Sequence, residues 1–204
     1  MIYLASMSPR RRAILRRMKL PFRLVPTRYR ERTPHVSRSP AFAAMRNAMG
    51  KAEGAFVRAR RGLVLGADTI VYFNRRIFGK PRTRREAFRM LEVLSGKSHQ
   101  VYTAIALIDI ESGGTSVTWA RTRVRFYPLA AASIRRYLSR VNPLDKAGAY
   151  AIQSGGEIIR SICGTYTNVM GLPMELLRRQ LKLFQKRKSR KKNTVIPRPA
   201  PACR

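Results

Sequence analysis

Carboxylates are scarce in this chain. Ten Asp and Glu stand against 43 Lys and Arg in 204 residues, leaving a formal net charge of +33. A field of that sign disfavours cationic partners and concentrates nucleotides and nucleic acids alike, so charge by itself does not choose between them; a general compositional bias towards Arg and Lys produces the same number. Cysteine is nearly absent. Cys163 and Cys203 have neither metal-ligand spacing nor the makings of a disulfide framework, which fits a reduced compartment. The two histidines, His35 and His99, have no suitably spaced partner for zinc, and no nucleophile triad is visible. No apolar run approaches the ~18 residues that span a bilayer. Strand-like residues begin at Ile2 with no secretory core before them, so the expected location is cytoplasmic, with no membrane association.

What is present is enough hydrophobic residue, 45%, for one sizeable core. Strand-like runs at 2–5, 22–26, 63–67, 69–73, 100–109 and 117–127 alternate with helical patterns near 8–19, 39–60, 83–95 and 130–140. This is the pattern of an α/β chain with a mixed sheet and flanking helices. A last helix is expected after Pro173, with Leu176, Leu177, Leu181 and Phe184 as its inward stripe. From Lys186 the composition changes: residues 186–204 hold eight basic residues, three prolines and no acid, the composition of a disordered tail. Residues 1–185 form the domain, and they still carry +25.

Few stretches look chemical. In "LASMSPRRRAIL", residues 4–15, a strand feeds a helix whose start has Ser8 as a cap and Pro9 in the first turn. Arginines at a helix N-terminus oppose its dipole unless an anion sits among them, so Arg10 and Arg11 suggest a phosphate chain; the alternative is a solvated basic turn. In "VLGADTIVYF", a sharp Gly-Ala-Asp turn is expected to expose Asp68 at a strand end, where a carboxylate can hold a divalent metal or orient water, or serve in an Asx-turn. "FGKP" follows an expected hairpin at "FNRR" and places the Lys80 ammonium beside Pro81. The glycine-rich stretch from Lys146 to Pro173 contains Gln153, able to read a base edge or hold a water, or simply to sit in a turn. His99 is expected in a structural hydrogen bond.

The ordered set "LASMSPRR", "GADTIV", "GKP", "LSGKSHQVYT", "DKAGAYAIQ" and "GTYTNVMGLP" resembles the Maf family of nucleotide pyrophosphatases over residues 2–177. The resemblance implies a mixed α/β fold similar to inosine triphosphate pyrophosphatases, with two lobes around a cleft, often in a homodimer. It implies hydrolysis of nucleoside triphosphates to the monophosphate and pyrophosphate with a divalent metal, Mg²⁺ or Mn²⁺. The tract around Gln153 is similar to the branch acting on dTTP and UTP, with modified pyrimidine nucleotides as a further substrate class. By the same resemblance Ser6, Arg10, Arg11, Lys51, Lys80 and Gln153 bind substrate, Asp68 activates water, and Glu31 and Asp68 hold the metal. The chain departs from the family pattern at Ala13, where a glutamate is expected, at Arg28 and Arg30, where acidic residues are usual, and at Ser154, where glycine is usual. A rival reading is a catalytically weak Maf-like protein that associates with RNA or ribosomes through its basic surface and tail.

Overall fold

The structure, a computed structural model, describes residues 1–31, 39–55 and 57–192, with side chains through Lys186. Seven strands make one mixed sheet. Strand β1 (Ile2–Leu4) lies between β2 (Phe22–Leu24) and β3 (Leu63–Phe73) and runs parallel to both. From β3 onward the neighbours are antiparallel: β3 pairs with β5 (Ser98–Asp109), β5 with β6 (Thr115–Phe126), and β6 with β7 (Ile159–Cys163). The short β4 (Arg76–Phe78) folds back along the end of β3.

One feature of this register leaves part of β3 open. β1 accompanies β3 only over Leu63–Leu65, and β4 joins the same edge only at Val71–Phe73. Between them, residues 66–70 of β3 have a strand on one side only, among the described residues.

Helices cover the two faces unequally. On one face, α1 (Pro9–Arg17) and α6 (Met174–Lys192) pack Ile14, Leu15, Leu177 and Phe184 against Ile2, Leu4, Leu65 and Leu107. Further along the same face, α3 (Arg84–Leu94) and α4 (Ala131–Arg140) bury Leu91, Ile134 and Tyr137 against Val71, Val101 and Phe126. The short α5 (Tyr166–Met170) sits between these two clusters, giving Val169 to one and Met170 to the other. On the opposite face, among the described residues, lies only α2 (Pro40–Glu53), which meets the sheet through Ala44, Ala48 and Ala52. Small side chains bring that helix very close: a Cβ on Gly66 would stand 2.1 Å from the Ala48 carbonyl oxygen.

Several expectations change here. No turn occurs at Gly66-Ala67-Asp68; the runs at 63–67 and 69–73 are one strand, and Gly66 is there because α2 leaves no room for a side chain. Asp68 therefore lies mid-strand, reachable because the sheet edge is open beside it. The helix expected over 39–60 stops at Glu53, with Gly54, a poor helix former, as its cap. Ser8 sits at the N-cap of α1 and Pro9 starts that helix, but the Ser8 side chain makes no capping bond. Helix α6 continues through Lys192, seven residues into the segment expected to be disordered, since Lys and Arg extend a helix readily and nothing interrupts it. Residues 193–204, including Cys203, lie outside the described residues. Strand β7 and helix α5 had no clear sequence signal, being five residues each.

Candidate active site

Asp68 projects from the open stretch of β3 towards α2, where Asn47 and Lys51 stand one helical turn apart on the alanine face. Lys51 Nζ donates to Asp68 Oδ1 at 2.6 Å and to the Ala67 carbonyl at 3.2 Å. Asn47 Nδ2 donates to Asp68 Oδ2 at 3.1 Å. Both carboxylate oxygens thus have a protein donor, and the group is 5% exposed. Asn47 is itself oriented, because the Tyr29 hydroxyl donates to its Oδ1 at 3.0 Å. The Tyr29 ring lies across α2 where Gly50 leaves space for it; a Cβ at residue 50 would be 2.2 Å from Tyr29 Cε2.

The same segment after β2 brings in Glu31. Its Oε1 lies 2.8 Å from Lys51 Nζ and 3.2 Å from Lys80 Nζ. Burial pushes the Glu31 carboxyl up, but the charge and hydrogen bond of Lys51, reinforced by Lys80, outweigh burial and hold it down at about 2. A carboxylate depressed in this way stabilises the fold above its ordinary value of 4.5, and that contribution is lost as pH falls towards 2.

Arg11 approaches from the other face. Its Nε donates to the Gly171 carbonyl at 2.8 Å, one terminal nitrogen to Ser6 Oγ at 2.9 Å and the other to Thr69 Oγ1 at 3.2 Å. Burial lowers its pKa, against the opposing pull of Asp68 and Glu31. Behind it the hydrogen bonds continue inward: Thr69 meets Thr103, Thr103 donates to the Asn168 carbonyl, and Asn168 Nδ2 donates to Thr122 Oγ1 and the Val101 carbonyl. This chain fixes the guanidinium plane while using three of its five N–H groups. Arg10 is held differently, on the rim, by Asp145 at 2.8 Å; Asp145 also pairs with Lys146. Burial raises the Asp145 carboxyl, and the hydrogen bonds and charges of Lys146 and Arg10 bring it below its ordinary value.

Arg10, Arg11, Glu31, Lys51, Asp68 and Asp145 line a single cavity of about 440 Å³, together with Ser6, Lys80, Tyr150 and Gln153, while Asn47 and the Thr103–Asn168 chain stand behind its wall. Every candidate residue from the sequence therefore borders one space. Gln153 is exposed in the short helical turn Ile152–Ser154 on the far wall. Arg12, the third arginine of the run, is not part of the lining. The cavity wall holds five cations, Arg10, Arg11, Lys51, Lys80 and Lys146, against three carboxylates, Glu31, Asp68 and Asp145. Such a wall suits a polyanion with a carboxylate at its centre.

His99 has the structural role expected of it. It is 1% exposed, its Nε2 pairs with the Tyr150 hydroxyl at 2.9 Å, and its ring meets Phe126 edge-on. Burial lowers it to about 4 and raises Tyr150, which keeps both neutral behind the cavity wall.

A sequence profile described as "Maf-like protein" matches residues 1–184. The chain belongs to the Maf family. Curated relatives include a dTTP/UTP pyrophosphatase of Carboxydothermus hydrogenoformans, 38% identical over 182 residues that cover 89% of this chain and 97% of the relative. Proteins of the same description from Bacillus cytotoxicus and Gloeobacter violaceus are each 43% identical, covering 89% and 91% of this chain and 94% and 97% of their own lengths. The Maf segment contains every residue of the cavity wall and ends within α6.

Sequence reading passed over Tyr29, Asn47, Thr69 and Asp145. Asn47 had a usable signal: it is the one polar side chain four residues before Lys51 on a helix face otherwise made of alanine. Asp145 stood in the "DKAG" stretch beside Lys146. For Tyr29, only the fold brings it to Gly50.

Proposed function

We propose that this Maf protein hydrolyses nucleoside triphosphates, dTTP and UTP among them, between the α and β phosphates, releasing the monophosphate and pyrophosphate. The observation that carries the reading is Asp68 at the open edge of β3, facing a cavity walled by five cations. The names of the relatives supply the substrate class.

Attack on a triphosphate is opposed by its own charge, so catalysis is largely positioning and charge stabilisation. Arg10, Arg11 and Lys80 bind phosphate oxygens, with Ser6 as a further donor. Arg11 is the most pre-organised of them, since three protein acceptors fix its plane. Asp68 orients the attacking water and takes its proton; Lys51 and Asn47 hold the carboxylate in one rotation, each occupying one lone pair and leaving others free. Gln153 offers an amide able to pair with a pyrimidine edge.

A divalent metal fits the donor set. Glu31 and Asp68 both contact Lys51 Nζ, so the two carboxylates stand close together with that ammonium between them, and no group of three potential protein ligands occurs among the described residues. That is the provision expected for Mg²⁺ or Mn²⁺ shared with substrate phosphates rather than caged by protein. When bound, such an ion supplies charge neutralisation at the phosphates.

The test is direct. Purified protein is incubated with dTTP, UTP or GTP, with and without Mg²⁺ or Mn²⁺, and the products are resolved. The expected products are dTMP or UMP with pyrophosphate. Orthophosphate and a diphosphate would place the cut at the wrong bond, and turnover without added ion under chelation would remove the metal from the proposal.

A further inference from the structure

Strand β6 carries Arg121, Arg123 and Arg125 at alternate positions, so all three stand on one face of the sheet, and all three are exposed. This is the face on which α2 lies, packed around Val64, Ile70, Ala104 and Ala106, yet the three arginines remain exposed beside it. In the register Ala104 opposes Trp119, Tyr102 opposes Arg121, Gln100 opposes Arg123 and Ser98 opposes Arg125, with Ser161 and Cys163 of β7 on the outer side.

Electrostatics make this surface unusual. No ion pair among the described residues involves any of the three arginines; the carboxylates that do pair, Glu31, Asp68, Asp145 and Glu157, serve cations elsewhere. Alternate residues of a strand stand about 6.8 Å apart, so three like charges repel along a rigid row with no ion pair among the described residues to offset them. At the end of the row lies Trp119, 41% exposed, its ring 5.5 Å from that of Tyr102, which in turn meets Tyr72 edge-on. A tryptophan braced in this way is a flat platform beside the charges.

From this arrangement we infer that the outer end of the sheet face is a docking surface for a single-stranded polynucleotide. The arginine row tracks the phosphates and Trp119 stacks on a base, the two components that bind single strands without reading sequence. A duplex fits poorly, because its bases are already stacked and its charges lie one per about 1.7 Å of axis, far denser than the row. None of these residues lines the cavity, so the surface is independent of the hydrolytic reading.

Trp119 is the only tryptophan in the chain, which makes it a local reporter. Oligothymidylate and oligouridylate are titrated into the full-length protein across a salt series, following Trp119 emission and the anisotropy of a labelled strand. Both strands are expected to quench Trp119 saturably and to shield it from acrylamide. Combining Arg121→Ser, Arg123→Ser and Arg125→Ser is expected to lower the slope of log K against log salt by about 2, the share of three single-strand phosphates. Removing three exposed arginines elsewhere, Arg16, Arg85 and Arg89, leaves the quenching in place. Binding without quenching or shielding, an unchanged slope in the β6 variant, or equal quenching by a duplex would each overturn the assignment. The shielding measurement needs only the unmodified protein, and pyrophosphate release from the β6 variant, expected at the unmodified level, separates this result from the fate of the hydrolase reading.

Discussion

The cavity and the outer face of β6 are both basic, yet they hold their cations in opposite ways. In the cavity Arg10 is paired with Asp145, Lys51 with Asp68 and Glu31, and Lys80 with Glu31, while Arg11 is bonded to neutral oxygens on three sides. On β6 three arginines stand in a row with no ion pair among the described residues. With only ten acids to place, the chain has put three of them around one cleft. Pairing fixes the position of a cation and reduces the net field it presents; leaving it unpaired keeps the field and gives up the position. The first arrangement serves chemistry on one bond, the second serves attraction to a long anion.

The comparison breaks most severely at Asp68. Asp68→Asn removes the charge that anchors Lys51 and the acceptor of the water proton, and is expected to reduce kcat about 10³-fold in a pyrophosphate-release assay while retaining much of the nucleotide affinity, which the remaining cations supply. Near-normal turnover in that variant would exclude Asp68 as the base. Asn47→Leu comes next. It leaves every cavity charge in place and frees one Asp68 oxygen, so kcat should fall about tenfold or more with little change in KM; a rise in KM alone would mean that Asn47 shapes the pocket rather than the carboxylate.

How much of this was legible from residues alone differs between the two regions. Most sheet strands and helices could be located from hydrophobic patterning, and the residues around the cleft because motifs such as "GKP" and "GADTIV" concentrate unusual residue types in few positions. The environment of Asp68 could not, because a continuous strand and a turn share the same Gly-Ala-Asp letters, and only the packing of α2 on Gly66 decides between them. The pairing of Lys51 with Asp68 joins residues far apart in the chain. The β6 arginines alternate plainly in "ARTRVRF", but their significance depends on all three being exposed beside α2, which no local pattern reveals.

Smaller effects sharpen the contrast. His99 is neutral in the fold and protonates near 6.5 when unfolded, so stability falls as pH drops from 6.5 to about 4, by about 3 kcal/mol in all. Urea unfolding of a His99→Gln variant across this range should lose that slope, whereas the slope below 4.5 that belongs to Glu31 should persist. Smallest of all, a chain ending at Lys192 is expected to keep turnover within about twofold and to lose part of its salt-sensitive affinity for single strands, since residues 193–204 contain two arginines and no acid. A large loss of turnover would tie that segment to the cleft.

Gly50 gives the cavity a keyhole. Because the Tyr29 ring fills the space where a side chain would stand, the segment that delivers Glu31 is latched to α2 by shape as well as by the bond to Asn47. Even alanine at position 50, normally favourable within a helix, would have to expel that ring. The displacement would travel in two directions at once, loosening Asn47 beside Asp68 and withdrawing Glu31 from Lys51 and Lys80. A single methyl group on the back of a helix would thus undo the assembly of a site whose charged residues had all been left unchanged.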